Sequence, residues 1–310
     1  MMNGTNVGLL HPGEMGAALG HCLSAQGHTV LWASQGRSPD TAKRAAAAGL
    51  TDTGTVAELA RRAEVILSVC PPHAARSVAQ SVTGRVRGFR GIYVDANAIS
   101  PHNVRYIAES VGAAGAGASG AGQSGTGAGT GPREAGEGGG GAGFVDGGII
   151  GSPPRPGAAP DAPDGTRLYL SGERAAEIAG LFAGTPVGAR VVEGGVGAAS
   201  AVKMAYAAWT KGTAALVLAA RALARADGVE GALLAEWALS QPSLPGRSER
   251  AAESAAAKGW RWDAEMTEIA ASMAAAGLPD GFHLAAAEIF RRVPRAESAT
   301  VDEVLAALMG

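Results

Sequence analysis

No run of uncharged apolar residues in this 310-residue chain reaches the ~20 needed to span a bilayer, so no membrane-spanning helix is expected. Charge of one sign is not concentrated either. The 26 Lys and Arg against 28 Asp and Glu leave a net charge of −2, and no basic stripe forms. Composition therefore gives no support to a nucleic-acid partner. Cysteine is scarce: Cys22 and Cys70 each lie in an apolar stretch, so buried free thiols in a reducing compartment are expected rather than a disulfide framework. The opening MMNGTNVGLLHPG has no basic n-region and no apolar stretch of signal-peptide length. A cytoplasmic protein is the expectation. No His, Cys, Asp or Glu group has metal-ligand spacing, and no metal is assigned.

What the chain does have is length for two domains and a 46% hydrophobic composition suited to burial. Short apolar runs read as buried strands at 6–10, 28–34, 64–72 and 91–101, with helix-type segments at 16–27, 38–50 and 55–63 between them. Ser100-Pro101 reads as an N-cap followed by proline at the first helical position. Such alternation predicts a doubly wound, mostly parallel sheet with helices on both faces, an α/β Rossmann architecture. Glycine and alanine then dominate 111–143, which offers no apolar face and is expected to be a mobile insertion. Strand character resumes at 143–151, 166–172 and 189–195. Beyond Gly197 the pattern is helical to the end, opening with a long helix over 197–228. The expected division is residues 1–195 as a nucleotide-binding domain and 196–310 as an all-α substrate and dimerisation domain. Small residues recur three or four apart from Gly197 to Ala219, a face that admits a second backbone closely.

The segment GLLHPGEMGAAL sits after the first strand and at the start of the first helix, where a dinucleotide's diphosphate is bound. Gly13 and Gly16 fill the second and third positions of G-x-G-x-x-G, but His11 stands at the first. Pro12 helps impose the tight turn that the position needs. His11, Pro12, Gly13, Glu14 and Met15 are therefore assigned to the cofactor. An NAD site expects an acid about 20 residues on, at the end of the second strand. That region, WASQGRS, has none, and Ser34, Arg37 and Ser38 supply donors and a positive charge for a 2′-phosphate instead. NADP(H) is the expected cofactor. Cys70, Pro71 and Pro72 end the third clear strand, where the ligand crevice of such a sheet opens, and Asn97 follows the next strand.

Taken together, these segments resemble the β-hydroxyacid dehydrogenase and 6-phosphogluconate dehydrogenase superfamily. GLLHPGEMG is similar to its G-x-x-G-x-G-x-M-G start and VDANAISP to its stretch after the fourth strand. FVDGGIIGSPP resembles its substrate-binding strand end, GGVGAASAVKMAYA its interdomain helix and WRWDAEMTEIA its later K-D-x-x-x-A helix. HPGEMG and KMAYAAWTKG are similar to the subgroup with a phosphogluconate-dehydrogenase-like C-terminal domain. The resemblance implies hydride transfer on a small hydroxyl/carbonyl substrate in the cleft between two domains, and a homodimer sharing helices.

It also places a catalytic lysine at Lys203, whose bland alternative is a side chain snorkelling from an alanine-rich helix. Two departures stand out: the family's active-site serine falls at Ile150, and its asparagine one turn after the lysine at Ala207. Gly148, Ile149, Ile150, Tyr206, Thr210, Trp260 and Asp263 are the expected substrate residues, with Ser152 a replacement for the missing serine. Asp263 reads equally as a helix N-cap. Imine reductases share the architecture, but their usual Asp or Tyr at the lysine position argues against them here. A cofactor-binding protein without turnover is the other alternative.

Overall fold

The computed structural model describes residues 4–84, 89–116 and 142–310. Contacts divide the chain into two units: one of residues 1–97 and 101–201, the other of residues 98–100 and 202–310. The division falls six residues beyond the expected boundary, inside a helix.

The first unit is built on eight strands: β1 (Asn6–Leu10), β2 (Thr29–Trp32), β3 (Thr51–Asp52), β4 (Val65–Ser68), β5 (Ile92–Asp95), β6 (Gly143–Ile150), β7 (Thr166–Ser171) and β8 (Val187–Val191). They lie in the order β3-β2-β1-β4-β5-β6-β7-β8, and every pairing is parallel except β6 with β7. The connecting helices are α1 (Glu14–Ala25), α2 (Pro39–Ala47), α3 (Val56–Arg62), α4 (Ala75–Thr83), α5 (Pro101–Ala116) and α6 (Ala175–Leu181). Val7, Leu9, Val30, Val65, Leu67, Ile92, Val94, Leu168 and Leu170 alternate along the strands and form one core with Leu19, Leu23 and Ile178 of the helices. Continuous apolar strands are the expected consequence of burial on both faces.

Three elements were missed by the sequence reading. β3 is two polar, exposed residues with no hydrophobic signal. α4 buries Ala75, Val78, Ala79 and Val82 at helical spacing, and α6 buries Ala175, Ile178 and Leu181. Both are short, and alanine takes part of each buried face, which lowers their contrast. The expected insertion also needs correcting. α5 continues through 111–116 with Val111 buried, and Gly143 opens β6 opposite Ile92. The remainder of that tract, 117–141, lies outside the described residues.

The chain passes from the first unit to the second within α7 (Ala198–Ala226), continuous as expected. The second unit continues with α8 (Glu230–Ser240), α9 (Leu244–Ala275), α10 (Gly281–Arg292) and α11 (Val301–Met309). Met204, Ala207, Leu218, Ala252, Ala256, Met266, Ile269, Phe290, Val304 and Leu305 form its core. The short segment 98–100 joins this unit: Ala98 packs on that core and the Ser100 N–H donates to Glu268 Oε2 at 2.7 Å. α9 starts some twenty residues before Asp263, so Asp263 is not a helix N-cap. The earlier turns were hidden because their buried positions, Ala251, Ala252, Ala255, Ala256 and Gly259, are small. Among the described residues no helix is long and apolar enough to cross a membrane.

Candidate functional site

In the first unit β1 and β4 are neighbours, while the chain runs outward from β1 to β2 and β3 on one side and from β4 to β5 on the other. Such a reversal opens a crevice beyond the strand C-termini, the usual ligand position of an open α/β sheet. The turn from β1 to α1 lies there. His11 has φ 65°, the only positive φ among the described non-glycine residues. The backbone at this position thus demands the conformation that the missing glycine would supply, and a histidine holds it at a cost of roughly 1–2 kcal/mol. The tight turn is closed by the Gly13 N–H donating to the His11 carbonyl at 2.8 Å.

The two glycines serve different purposes. A Cβ at Gly16 would stand 2.7 Å from the His11 carbonyl oxygen, so the turn itself excludes any larger residue. At Gly13 a Cβ would meet nothing within 4 Å, so packing does not explain the glycine. Gly13 is the N-cap of α1 and gives that helix no side-chain cap. An open cradle beside uncapped helix-start amides fits an incoming diphosphate. Met15, in the first turn, packs against the sheet core, whereas Glu14 is exposed.

Burial, and after it the Arg37 charge, lowers the His11 imidazole to about 4, leaving the ring neutral at pH 7. Burial also lowers the Arg37 guanidinium, which nevertheless stays charged. Of the other expected phosphate ligands, Ser38 caps α2, its Oγ accepting the Thr41 N–H at 3.3 Å. The Ser34 N–H donates to Asp52 Oδ1 at 3.2 Å, as does Gly54 at 2.8 Å. Burial opposes these bonds, but they prevail and hold the Asp52 carboxyl below its ordinary value. Asp52, at the end of β3, was missed because the sequence signal sought an acid on β2. Arg44 was missed too: its Nε donates to the Pro12 carbonyl at 3.4 Å and ties α2 to the turn.

Beyond β4, the Cys70 N–H donates to Asn97 Oδ1 at 2.6 Å and Asn97 Nδ2 donates to Ser68 Oγ at 3.1 Å. Asn97 is buried, and its amide fastens the Cys70-Pro71-Pro72 turn to the end of β5. Burial, with the Asp95 charge adding to it, pushes the Cys70 thiol up to about 12. It is no nucleophile.

In the second unit, the Lys203 Nζ lies 3.3 Å from Glu265 Oε1, with side chains only 15% and 7% exposed. The other oxygen, Oε2, accepts from Lys211 Nζ. Burial brings the Lys203 amine down to about 8, against a contribution from Tyr206 that raises it. Burial, then the Lys203 and Arg261 charges, lowers Lys211 well below its ordinary value. Ala207 is buried between the two lysines along α7, so the polarity absent there reappears at Lys211. Neither Lys211 nor Glu265 was found in the sequence. The signal was an eight-residue lysine spacing, two helical turns, on one face.

The expected substrate residues divide between the two units. Gly148, Ile149 and Ile150 lie inside β6, buried and paired with Tyr169, Leu168 and Arg167, and Ser152 is exposed just beyond. Thr210 donates its hydroxyl to the Tyr206 carbonyl one turn back. Trp260 stacks with Arg295 and Arg261, whereas Trp262 is the tryptophan against Lys211, 5.4 Å from its Nζ. Asp263 faces Arg291 at 4.0 Å.

Residues 6–138 match the family model of the NAD binding domain of 6-phosphogluconate dehydrogenase. Residues 224–293 match DUF1932, a domain of unknown function. No curated protein matches the chain. Solved structures share the fold along the full length. A 3-hydroxyisobutyrate dehydrogenase from Mycobacterium tuberculosis, solved with L-serine, is 17% identical with a TM-score of 0.66, covering 99% of this chain and 100% of that one. A reductive aminase from Aspergillus terreus in complex with NADPH is 18% identical, with a TM-score of 0.54 and coverage of 97% and 99%. An imine reductase variant from Myxococcus stipitatus in complex with NAD+ is 19% identical, with a TM-score of 0.52 and coverage of 100% of both chains.

Proposed function

We propose that this chain, whose residues 6–138 match the family model of the NAD binding domain of 6-phosphogluconate dehydrogenase, is an NADPH-dependent oxidoreductase of a small hydroxyl/carbonyl substrate. The observation that carries the reaction type is the Lys203 amine, held in a largely buried site beside a single carboxylate. When bound, the nicotinamide supplies or accepts the hydride. The residues of the chain do the rest. The amides around Gly13 and the first turn of α1 hold the diphosphate, and Arg37 answers the 2′-phosphate. In reduction, the Lys203 ammonium donates a hydrogen bond and then a proton to the carbonyl oxygen as negative charge builds there. In oxidation, the neutral amine removes the hydroxyl proton. A midpoint of about 8 makes both forms accessible near neutral pH. Glu265 keeps the ammonium compensated while it waits.

The protein is read as a cytoplasmic homodimer joined through its C-terminal helices. Tyr206, Trp209, Leu216 and Leu223 stay exposed along one side of α7, Trp209 at 69% and Leu223 at 65%. Their spacing of three and seven residues makes a continuous seam for a second helix. Light scattering of the purified protein checks the mass.

The reaction is tested by NADPH oxidation with panels of ketoacids, aldehydes, ketones and cyclic imines. Turnover of a carbonyl compound that disappears in Lys203→Met is the expected result. Imine turnover alone would make the chain an imine reductase, the same scaffold with a different substrate. NADPH binding with no turnover across the panel would make it a binding protein.

A further inference from the structure

Glu265 is one buried carboxylate between two largely buried amines. Its two oxygens are divided between them, Oε1 toward Lys203 at 3.3 Å and Oε2 to Lys211. The Oε1 contact is close enough for an ion pair but is not aligned as a hydrogen bond, so Oε1 has no hydrogen-bond partner among the described residues. Lys211 is therefore the tighter partner, and the charge of Glu265 opposes the burial that lowers its amine. The face of Trp262, 5.4 Å away, also favours a cation at Lys211. Such an arrangement is more than a catalytic lysine needs for its own neutralisation.

A lysine that gives up its proton would leave a buried Glu265 without a counter-charge, and an orphaned buried carboxylate is strongly unfavourable. We propose that Lys211 is a positioning residue for Lys203: by holding Oε2 it keeps Glu265 compensated while the Lys203 amine passes between its charged and neutral forms. The inference rests on the reading of Lys203 as the proton donor and acceptor. The pair and the carboxylate then titrate as one unit rather than as three independent groups. The groups that bear on this unit are Tyr206 from α7 and Arg261 from α9. From α10, His283 packs on α7 with its Nε2 3.4 Å from the Ala208 carbonyl oxygen.

The test reads Lys203 directly and needs neither substrate nor cofactor. The full-length protein is acylated with acetic anhydride across a pH series, and the tryptic peptide bearing Lys203 is quantified by mass spectrometry. In Lys211→Met, Glu265 has only Lys203 left, so the ammonium persists and the labelling midpoint rises by about one pH unit or more. Lys211→Arg keeps a fixed charge on Oε2, and its midpoint stays within about half a unit of the unmodified protein. Glu265→Gln leaves two cations together, and its midpoint falls by about one unit. Lys211→Gln repeats the first arm should the methionine variant fail to fold, as judged by circular dichroism. A purely structural Lys211 would lower the melting temperature and leave the midpoint in place, which overturns the proposal. A midpoint that moves equally in Lys211→Met and Lys211→Arg overturns it as well. If the midpoints move as expected but no substrate is turned over, the coupling stands and the assignment of the reaction falls.

Discussion

Asp95 and Asp146 stand opposite one another in register on β5 and β6, both fully buried, and only one of them is well supplied with donors. Asp146 accepts from the Gly197 and Ser200 N–H groups at 2.9 and 3.0 Å, and from the Ser200 and Ser171 hydroxyls at 2.6 and 3.0 Å. It anchors the start of α7. Asp95 accepts the Asn97 N–H at 3.1 Å, and its Oδ2 has no partner. Burial, opposed by that N–H and reinforced by the Asp146 charge, pushes Asp95 up to about 7.

A folded-state value above the unfolded one means that the folded protein holds this proton more tightly. The contribution of Asp95 is therefore complete below about pH 4 and is lost as pH rises toward 7, on the order of 1 kcal/mol per pH unit. His11 works in the opposite direction over much of the same window, because its lowered value costs stability as pH falls from 6.5 toward 4. Asp95→Asn removes only the first effect. Urea melts of the two proteins at pH 5 and pH 8 should show the variant gaining relative stability at the higher pH. No change in the difference between them would mean that Asp95 is already ionised in the fold.

Under the proposed function, Gly13 and Gly16 separate cofactor binding from folding. In Gly13→Ala the new methyl group enters open space, so the melting temperature should hold while dinucleotide affinity falls at least about tenfold, the effect of blocking a close backbone approach. In Gly16→Ala the methyl group meets the His11 carbonyl, and stability should fall by roughly 1–3 kcal/mol. Thermal melts and fluorescence titration with NADPH check both.

His11→Gly tests the strained turn. Relief of a positive φ and removal of a buried Nδ1 without a partner outweigh the added freedom of the unfolded chain, for a net gain of up to about 1 kcal/mol. Since the ring is neutral, NADPH affinity should change by less than about twofold, well under the effect of a charged contact. A large loss of affinity on titration would instead make the imidazole a phosphate ligand.

The proposed preference for NADPH turns on Arg37 and Asp52. Arg37→Ala should weaken NADPH by roughly 1.5–3 kcal/mol and leave NADH nearly untouched. Asp52→Asn should not weaken NADPH, because it removes a negative charge beside Ser34. Dissociation constants of both nucleotides for both variants check this. Equal losses of NADH and NADPH in Arg37→Ala would sink the 2′-phosphate assignment.

The alternation of apolar runs with helical segments was enough to locate seven of the eight strands, because buried parallel strands must be apolar along their length. The strand–turn–helix context of His11, Gly13 and Gly16 was likewise legible, since tight turns and close backbone approach leave few residue choices. What pattern alone missed was short, polar or built from alanine: β3, α4, α6 and the first half of α9. Only tertiary structure brought Asp52 to Ser34, Arg44 to Pro12 and Glu265 to Lys203 and Lys211. Those pairs lie 18 to 62 residues apart in sequence. Local periodicity records which way a side chain faces on its own element, and the charge it meets there is set by which other element the fold packs against it.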